Sequence, residues 1–217
     1  METLSLSSTT NKTHLYKFAF GLALITIIFA IAEAFFSTYY GYNDESLSLF
    51  GFGVGSFIEV ISAIGVAQMI VRIKQNENSS RSNFEKTALR ITGTCFYILV
   101  AGLAVTSVYN IYTGHKPEAT LSGIVIASFS IMLMLFLLYS KTRIGKQLNS
   151  DAILADANCT KVCIYMSLVL LVVSGLYQVI KFPYFDSIGT LAIAYFSFKE
   201  GKECFENAKS DKHCSFC

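Results

Sequence analysis

An all-α membrane protein is the fold class that this sequence predicts, and three features predict it. Six apolar segments fill the 217 residues. Charged residues make up only 15% of the chain and hydrophobic ones 53%, whereas a soluble domain carries about a quarter charged. The basic residues between the segments alternate from one side to the other. These features together predict a six-transmembrane-helix bundle.

The elements follow in order. The first apolar run extends from Phe18 to about Ser37. That is longer than a signal-peptide core and lacks an A-x-A-like ending, so it is expected to stay as a span. About 20 apolar residues cross a bilayer core. The spans are placed at 16–39, 46–71, 88–113, 120–141, 151–179 and 185–203. The link 72–87 is polar and rich in Ser and Asn, 142–150 is short and basic, and 40–45, 114–119 and 180–184 are tight. The domain plan is a tail at 1–15, a membrane domain at 16–203 and a Cys-containing tail at 204–217.

Orientation follows from the basic residues. Lys12, Lys17, Arg72, Lys74, Arg81, Lys86, Lys141, Arg143, Lys146, Lys199, Lys202, Lys209 and Lys212 fall on one side, and only Lys116 and Lys181 on the other. Arg90 and Lys161 fall within spans. The bias places both termini in the cytoplasm, with the plasma (inner) membrane as the expected location. Tyr39, Tyr40, Tyr42, Tyr109, Tyr112 and Tyr184 lie at the outer span ends, where amphipathic rings prefer to sit.

Composition narrows the function classes. A net charge of +2 gives no basis for a nucleic-acid partner. The bilayer is the expected partner, and no cysteine lies in the outer loops to build an extracellular disulfide framework. No H-E-x-x-H or G-x-S-x-G motif is present, which argues against an intramembrane enzyme.

Polar groups inside spans carry the remaining information, because a bilayer tolerates them mainly where they have partners or a task. In span 5, Asp156, Cys159, Cys163 and Ser167 fall within about 80° of one helix face. A carboxylate and two thiols on one stripe suit a soft or borderline cation such as zinc. The plainer alternatives are packing for the cysteines and an ion pair of Asp156 with Lys161 or Arg90. In span 2, Glu59 stands about 13 residues in and must pair, protonate or bind something. Gly51, Gly53 and Gly55 precede it, either for close helix approach or to leave room beside Glu59 for an ion and water. Glu33 in span 1 is an accessory candidate. The tail His213, Cys214 and Cys217 offers transient metal capture, although a complete structural site usually has four ligands.

Three stretches carry a resemblance. SLSLFGFGVGSFIEVISA at 46–63, LADANCTKVCIYMS at 154–167 and FDSIGTLAIAYFSFKEGKECFENA at 185–208 resemble helices two, five and six of the cation diffusion facilitator family. GHKPEATLSGIVIASFSIMLM, ahead of span 5, resembles its small branch related to transmembrane protein 163. The resemblance spans about Phe18 to Ala208. It implies six helices with cytoplasmic termini, a divalent metal ion as cargo, no prosthetic group and a homodimer through helix three. It places Gly55 and Glu59 at the metal positions of helix two, and Cys159 and Cys163 at those of helix five. Glycine at 55 supplies no ligand, and cysteines stand where the family has His and Asp, so Asp156 is the expected compensating ligand. The family's cytoplasmic domain after helix six is expected to be missing.

The expected function is a divalent-cation (Zn²⁺-like) transporter with a midplane site of Glu59, Asp156, Cys159 and Cys163, driving efflux against protons. A membrane metal sensor or modulatory subunit is the rival, and a purely structural bundle is the third reading.

Overall fold

A computed structural model describes residues 2–75, 83–113, 121–148, 150–180 and 184–209. It contains six helices: α1 Glu2–Asn43, α2 Leu47–Gln75, α3 Asn83–Thr113, α4 Leu121–Leu148, α5 Asp151–Ile180 and α6 Phe185–Lys209. There is no strand among the described residues. Every backbone polar group in a bilayer core must be satisfied within its own segment, and the helix does this.

Five of the helices, α1 to α5, are long and apolar enough to cross a membrane. The sequence predicts six spans and six helices form, with α6 less apolar than the other five. Lys199, Glu200, Lys202, Glu203 and Glu206 crowd the second half of α6. Its first half still packs into the bundle, burying Gly189, Thr190, Ile193 and Ala194.

The helices form three close pairs, α1 with α2, α3 with α6 and α4 with α5. α2 is central and also touches α3, α5 and α6. Outward-facing positions are apolar: Ile28, Phe35, Ile98, Val105, Phe129, Met132, Val172 and Val179 are exposed. In water such a surface would drive association, whereas in lipid it is matched to its solvent. The six tyrosines assigned to span ends are exposed.

Two apolar clusters make the interior. The larger joins Phe52, Phe96, Leu103, Met134, Met166, Leu170 and Ile193 from α2 to α6. The smaller joins Ala19, Leu22, Val66, Ile70, Leu137, Ile144 and Ile153 from α1, α2, α4 and α5. Glu59 follows Ile58 of the larger cluster, Lys141 stands between Leu137 and Ile144 of the smaller, and Asp156 falls between Ile153 of the smaller and Cys159 of the larger, so these polar groups are set among the apolar core residues.

Helix ends are built locally. α1 closes with Ser46 N–H donating to Gly41 C=O at 2.9 Å and Glu45 N–H to Tyr42 C=O at 3.3 Å. Glu45 takes the left-handed conformation, φ 53°. This is a Schellman stop with a non-glycine residue in the αL position. Ser46 then caps α2 through its Oγ, which accepts from Leu49 N–H at 3.3 Å. Asp186, at the start of α6, accepts from the N–H groups of Leu47 (2.8 Å) and Ser48 (3.2 Å). It also accepts from both serine hydroxyls, Ser46 Oγ at 2.7 Å and Ser48 Oγ. One carboxylate therefore satisfies the free amides of α2 and ties α6 to it.

The α1–α2 pairing depends on close backbone approach. A Cβ on Gly41 would fall on the backbone nitrogen of Phe50 and within 2.7 Å of its Cα. Neither can retreat without parting the helices. Gly21, by contrast, faces open space. Gly41→Ala is expected to destabilise the protein by about 1–3 kcal/mol, and Gly21→Ala to leave stability nearly unchanged. Thermal unfolding of the two variants in detergent checks the difference.

Candidate functional site

The α5 stripe faces inward. Asp156, Cys159, Cys163 and Ser167 are all buried, as is Thr160 between them. Glu59 projects from α2 into the same interior and is 1% exposed.

The partners differ from those expected. Asp156 pairs with neither Lys161 nor Arg90. Its Oδ2 lies 2.8 Å from Nζ of Lys141, and both side chains are 2% exposed. Lys141, assigned from the sequence to the basic cytoplasmic side, stands inside the bundle. Removing it from the inner count leaves the charge bias intact. Ser62 Oγ donates to the other oxygen of Asp156 at 3.2 Å. Lys141 Nζ also donates to Thr160 Oγ1 at 2.9 Å, and that hydroxyl donates to Glu59 Oε1 at 2.8 Å. A continuous chain thus runs Asp156–Lys141–Thr160–Glu59 across α5, α4 and α2.

Glu59 Oε2 is buried with no hydrogen-bond partner. Besides Thr160, Asp156 and Cys163 of α5 act on Glu59 electrostatically, and Cys159 and Cys163 interact with each other. The room expected beside Glu59 is not open. A Cβ at Gly55 would meet Met166 Cε at 2.9 Å, so a thioether methyl fills the space that glycine leaves. Among the described residues, no group of three or more His, Cys, Asp or Glu side chains is arranged to hold a metal ion.

Glu33 lies outward of Glu59. Its Oε2 accepts from Ser56 Oγ at 2.7 Å, and its Oε1 is buried and unpartnered. Ser130 and Ser167, 3.2 Å apart, continue the polar lining from α4 and α5. Two carboxylates therefore each keep one buried oxygen free. His213, Cys214 and Cys217 lie outside the described residues. Cys95, Cys159, Cys163 and Cys204 are free thiols.

Sequence reasoning missed Lys141, Thr160 and Glu200, which is also buried. A signal for Lys141 existed. The buried positions of α4 are Gly123, Ala127, Ser130, Met134, Leu137, Lys141 and Ile144, a run of alternating four- and three-residue steps. Lys141 falls on that inward seam, and a count of basic residues at span ends ignores the seam.

Breaking a buried ion pair from one side strands a charge and costs about 3–5 kcal/mol, while removing both charges costs much less. Lys141→Met and Asp156→Leu should each lower stability by that order. The double variant should lose clearly less than the two losses combined. Unfolding in detergent, read as a double-mutant cycle, measures the coupling.

Comparison with known proteins bears on what this interior serves. Comparison with curated proteins gives no match. The sequence profile of the cation efflux transmembrane domain matches residues 19–211, a stretch that takes in Glu33, Glu59, Lys141 and the α5 stripe. By that match the chain belongs to the cation efflux family, whose members are membrane transporters of metal cations.

Proposed function

We propose that the chain moves a divalent, Zn²⁺-like cation out of the cytoplasm through a midplane site between α2 and α5, with Glu59, Asp156, Cys159 and Cys163 as ligands. The observation that carries this reading is the buried, unpartnered Oε2 of Glu59, set beside a stripe of two free thiols. An acceptor that lacks a partner in a dry interior is costly, and a cation would satisfy it. Thiols favour Zn²⁺ and similar ions over Mg²⁺ or Ca²⁺, which take oxygen cages.

Carboxylates and thiols must lose protons to bind a metal and regain them to release it. Outward metal flow is thereby coupled to inward protons. Glu33 and the serines Ser56, Ser130 and Ser167 line the outer continuation of the route. Rocking of helix pairs about the site would give alternating access. A homodimer through α3 agrees with the bare apolar face of that helix, where Ile98, Val105 and Val108 are exposed and Gly102 has open space beside it. The location we favour is the plasma (inner) membrane.

A second reading is a membrane metal sensor or modulatory subunit. It is favoured by the absence, among the described residues, of a metal-holding group of three or more His, Cys, Asp or Glu in this conformation. Purified protein in liposomes separates the two. The transporter reading expects Zn²⁺ or Cd²⁺ uptake that depends on a pH gradient. It also expects uptake to fall by about tenfold or more, the effect of roughly 1.4 kcal/mol, in Glu59→Gln and in Cys159→Ala/Cys163→Ala. Metal binding without flux selects the sensor, and flux unchanged in both variants rejects the site.

A further inference from the structure

Among the described residues Lys141 is the one buried cation, and its position has no counterpart in a plain metal site. The ammonium is 2.8 Å from Asp156 Oδ2 and 2.9 Å from Thr160 Oγ1, which in turn holds Glu59 Oε1 at 2.8 Å. It therefore reaches two of the four proposed ligands, Asp156 directly and Glu59 through Thr160. Among these groups, one oxygen of Glu59 keeps no hydrogen-bond partner.

We propose that the Lys141 ammonium is a tethered counter-cation seated in the cation path, and that a divalent metal ion must displace it from Asp156 to gain a full ligand set. The inference rests on the site reading given above. It accounts for two observations together: the lack of a metal-holding group among the described residues in this conformation and the burial of a lysine at the inner end of a span. With the ammonium in place, Asp156 is engaged and an incoming divalent ion meets like charge. With it withdrawn, Asp156 can turn to the metal.

The lysine has somewhere to go. Position 141 is seven residues from the end of α4 at Leu148, about 10 Å along the axis. A four-carbon stem lets a lysine head reach toward an interface while its methylenes stay in apolar surroundings. Ser62 Oγ remains on the other oxygen of Asp156, so the carboxylate is held while its partner changes. A compact, hydratable ammonium suits such an exchange better than a guanidinium, whose fork would lock onto the carboxylate in two places.

The test uses the intact protein in detergent with Zn²⁺ or Cd²⁺ as the probe. An amine-acylating reagent is applied with and without metal, and Lys141 modification is read by mass spectrometry, with exposed Lys202 as the reference. Displacement predicts several-fold faster acylation of Lys141 at saturating metal. Unchanged or slower acylation, with metal binding verified by calorimetry, overturns the proposal and leaves the metal site standing.

Lys141→Gln supplies the second arm, since an amide can still donate to Asp156 without carrying charge. This variant should bind Cd²⁺ about tenfold tighter than the parent protein, and Lys141→Arg should not. Equal or weaker affinity in folded Lys141→Gln overturns the proposal, and if that variant does not fold the acylation result decides. Metal bound by Lys141→Gln and not by the parent supports displacement in its strongest form. Metal bound by neither overturns the proposal together with the site reading.

Discussion

The interior of this bundle depends on how charge is kept in an apolar medium. Glu59, Asp156 and Lys141 are all but sealed from solvent, where an isolated charge is very costly. They persist because each is bound to the next through Thr160 or directly. The chain they form joins α2, α4 and α5, helices held besides by apolar contact and by the Ser130–Ser167 and Ser62–Asp156 hydrogen bonds. Among transmembrane helices in lipid, packing and interhelical hydrogen bonds, rather than hydrophobic burial, hold neighbours together. The polar chain therefore supplies register as well as chemistry, fixing which turn of α5 faces which turn of α2.

Those polar groups are set among two apolar clusters, one including Phe52, Phe96 and Met166 and the other Leu22, Ile70 and Leu137. The clusters limit where polar groups can meet. Met166 fills the space beside Gly55, and Glu59 is held through one oxygen by Thr160. Ser56, Glu33, Ser130 and Ser167 continue the polar line outward. The polar groups so lined up are oxygens of Glu33, Ser56, Ser130 and Ser167 at one end and the mixed oxygen and sulfur of Glu59, Asp156, Cys159 and Cys163 at the other.

Much of the fold was legible in the sequence because bilayer thickness converts hydropathy into helix length, and because basic residues report sidedness. α6 carries a weaker hydropathy signal. Its buried face mixes Gly, Thr, Ala and Ser with Asp186, Ile193, Glu200 and Cys204, a composition that packs against protein and lowers apparent apolarity. The inward direction of the α5 stripe was also legible, since helical spacing alone groups Asp156, Cys159, Cys163 and Ser167. The partner of Asp156 was not. Lysine at a span end is equally at home at the interface or inside the bundle, and only the seam along α4, fixed by packing against α5, decides between them. Thr160 was hidden for a related reason. A threonine in a helix often bonds its own backbone, as Thr160 does to Asp156 C=O at 3.2 Å, and its second role needs α2 in place.

The Asp186 clasp has a consequence for which helices move together. Its carboxylate is bonded to two amides and two hydroxyls at the head of α2, so α6 cannot part from α2 at that end without breaking all four at once. α3 is packed to α6 and α1 to α2, which joins those four helices into one frame. α4 is tied to the same end more lightly, through Ser122 Oγ donating to Asp44 at the α1–α2 junction, so the α4–α5 pair is latched to the frame there and does not hang free.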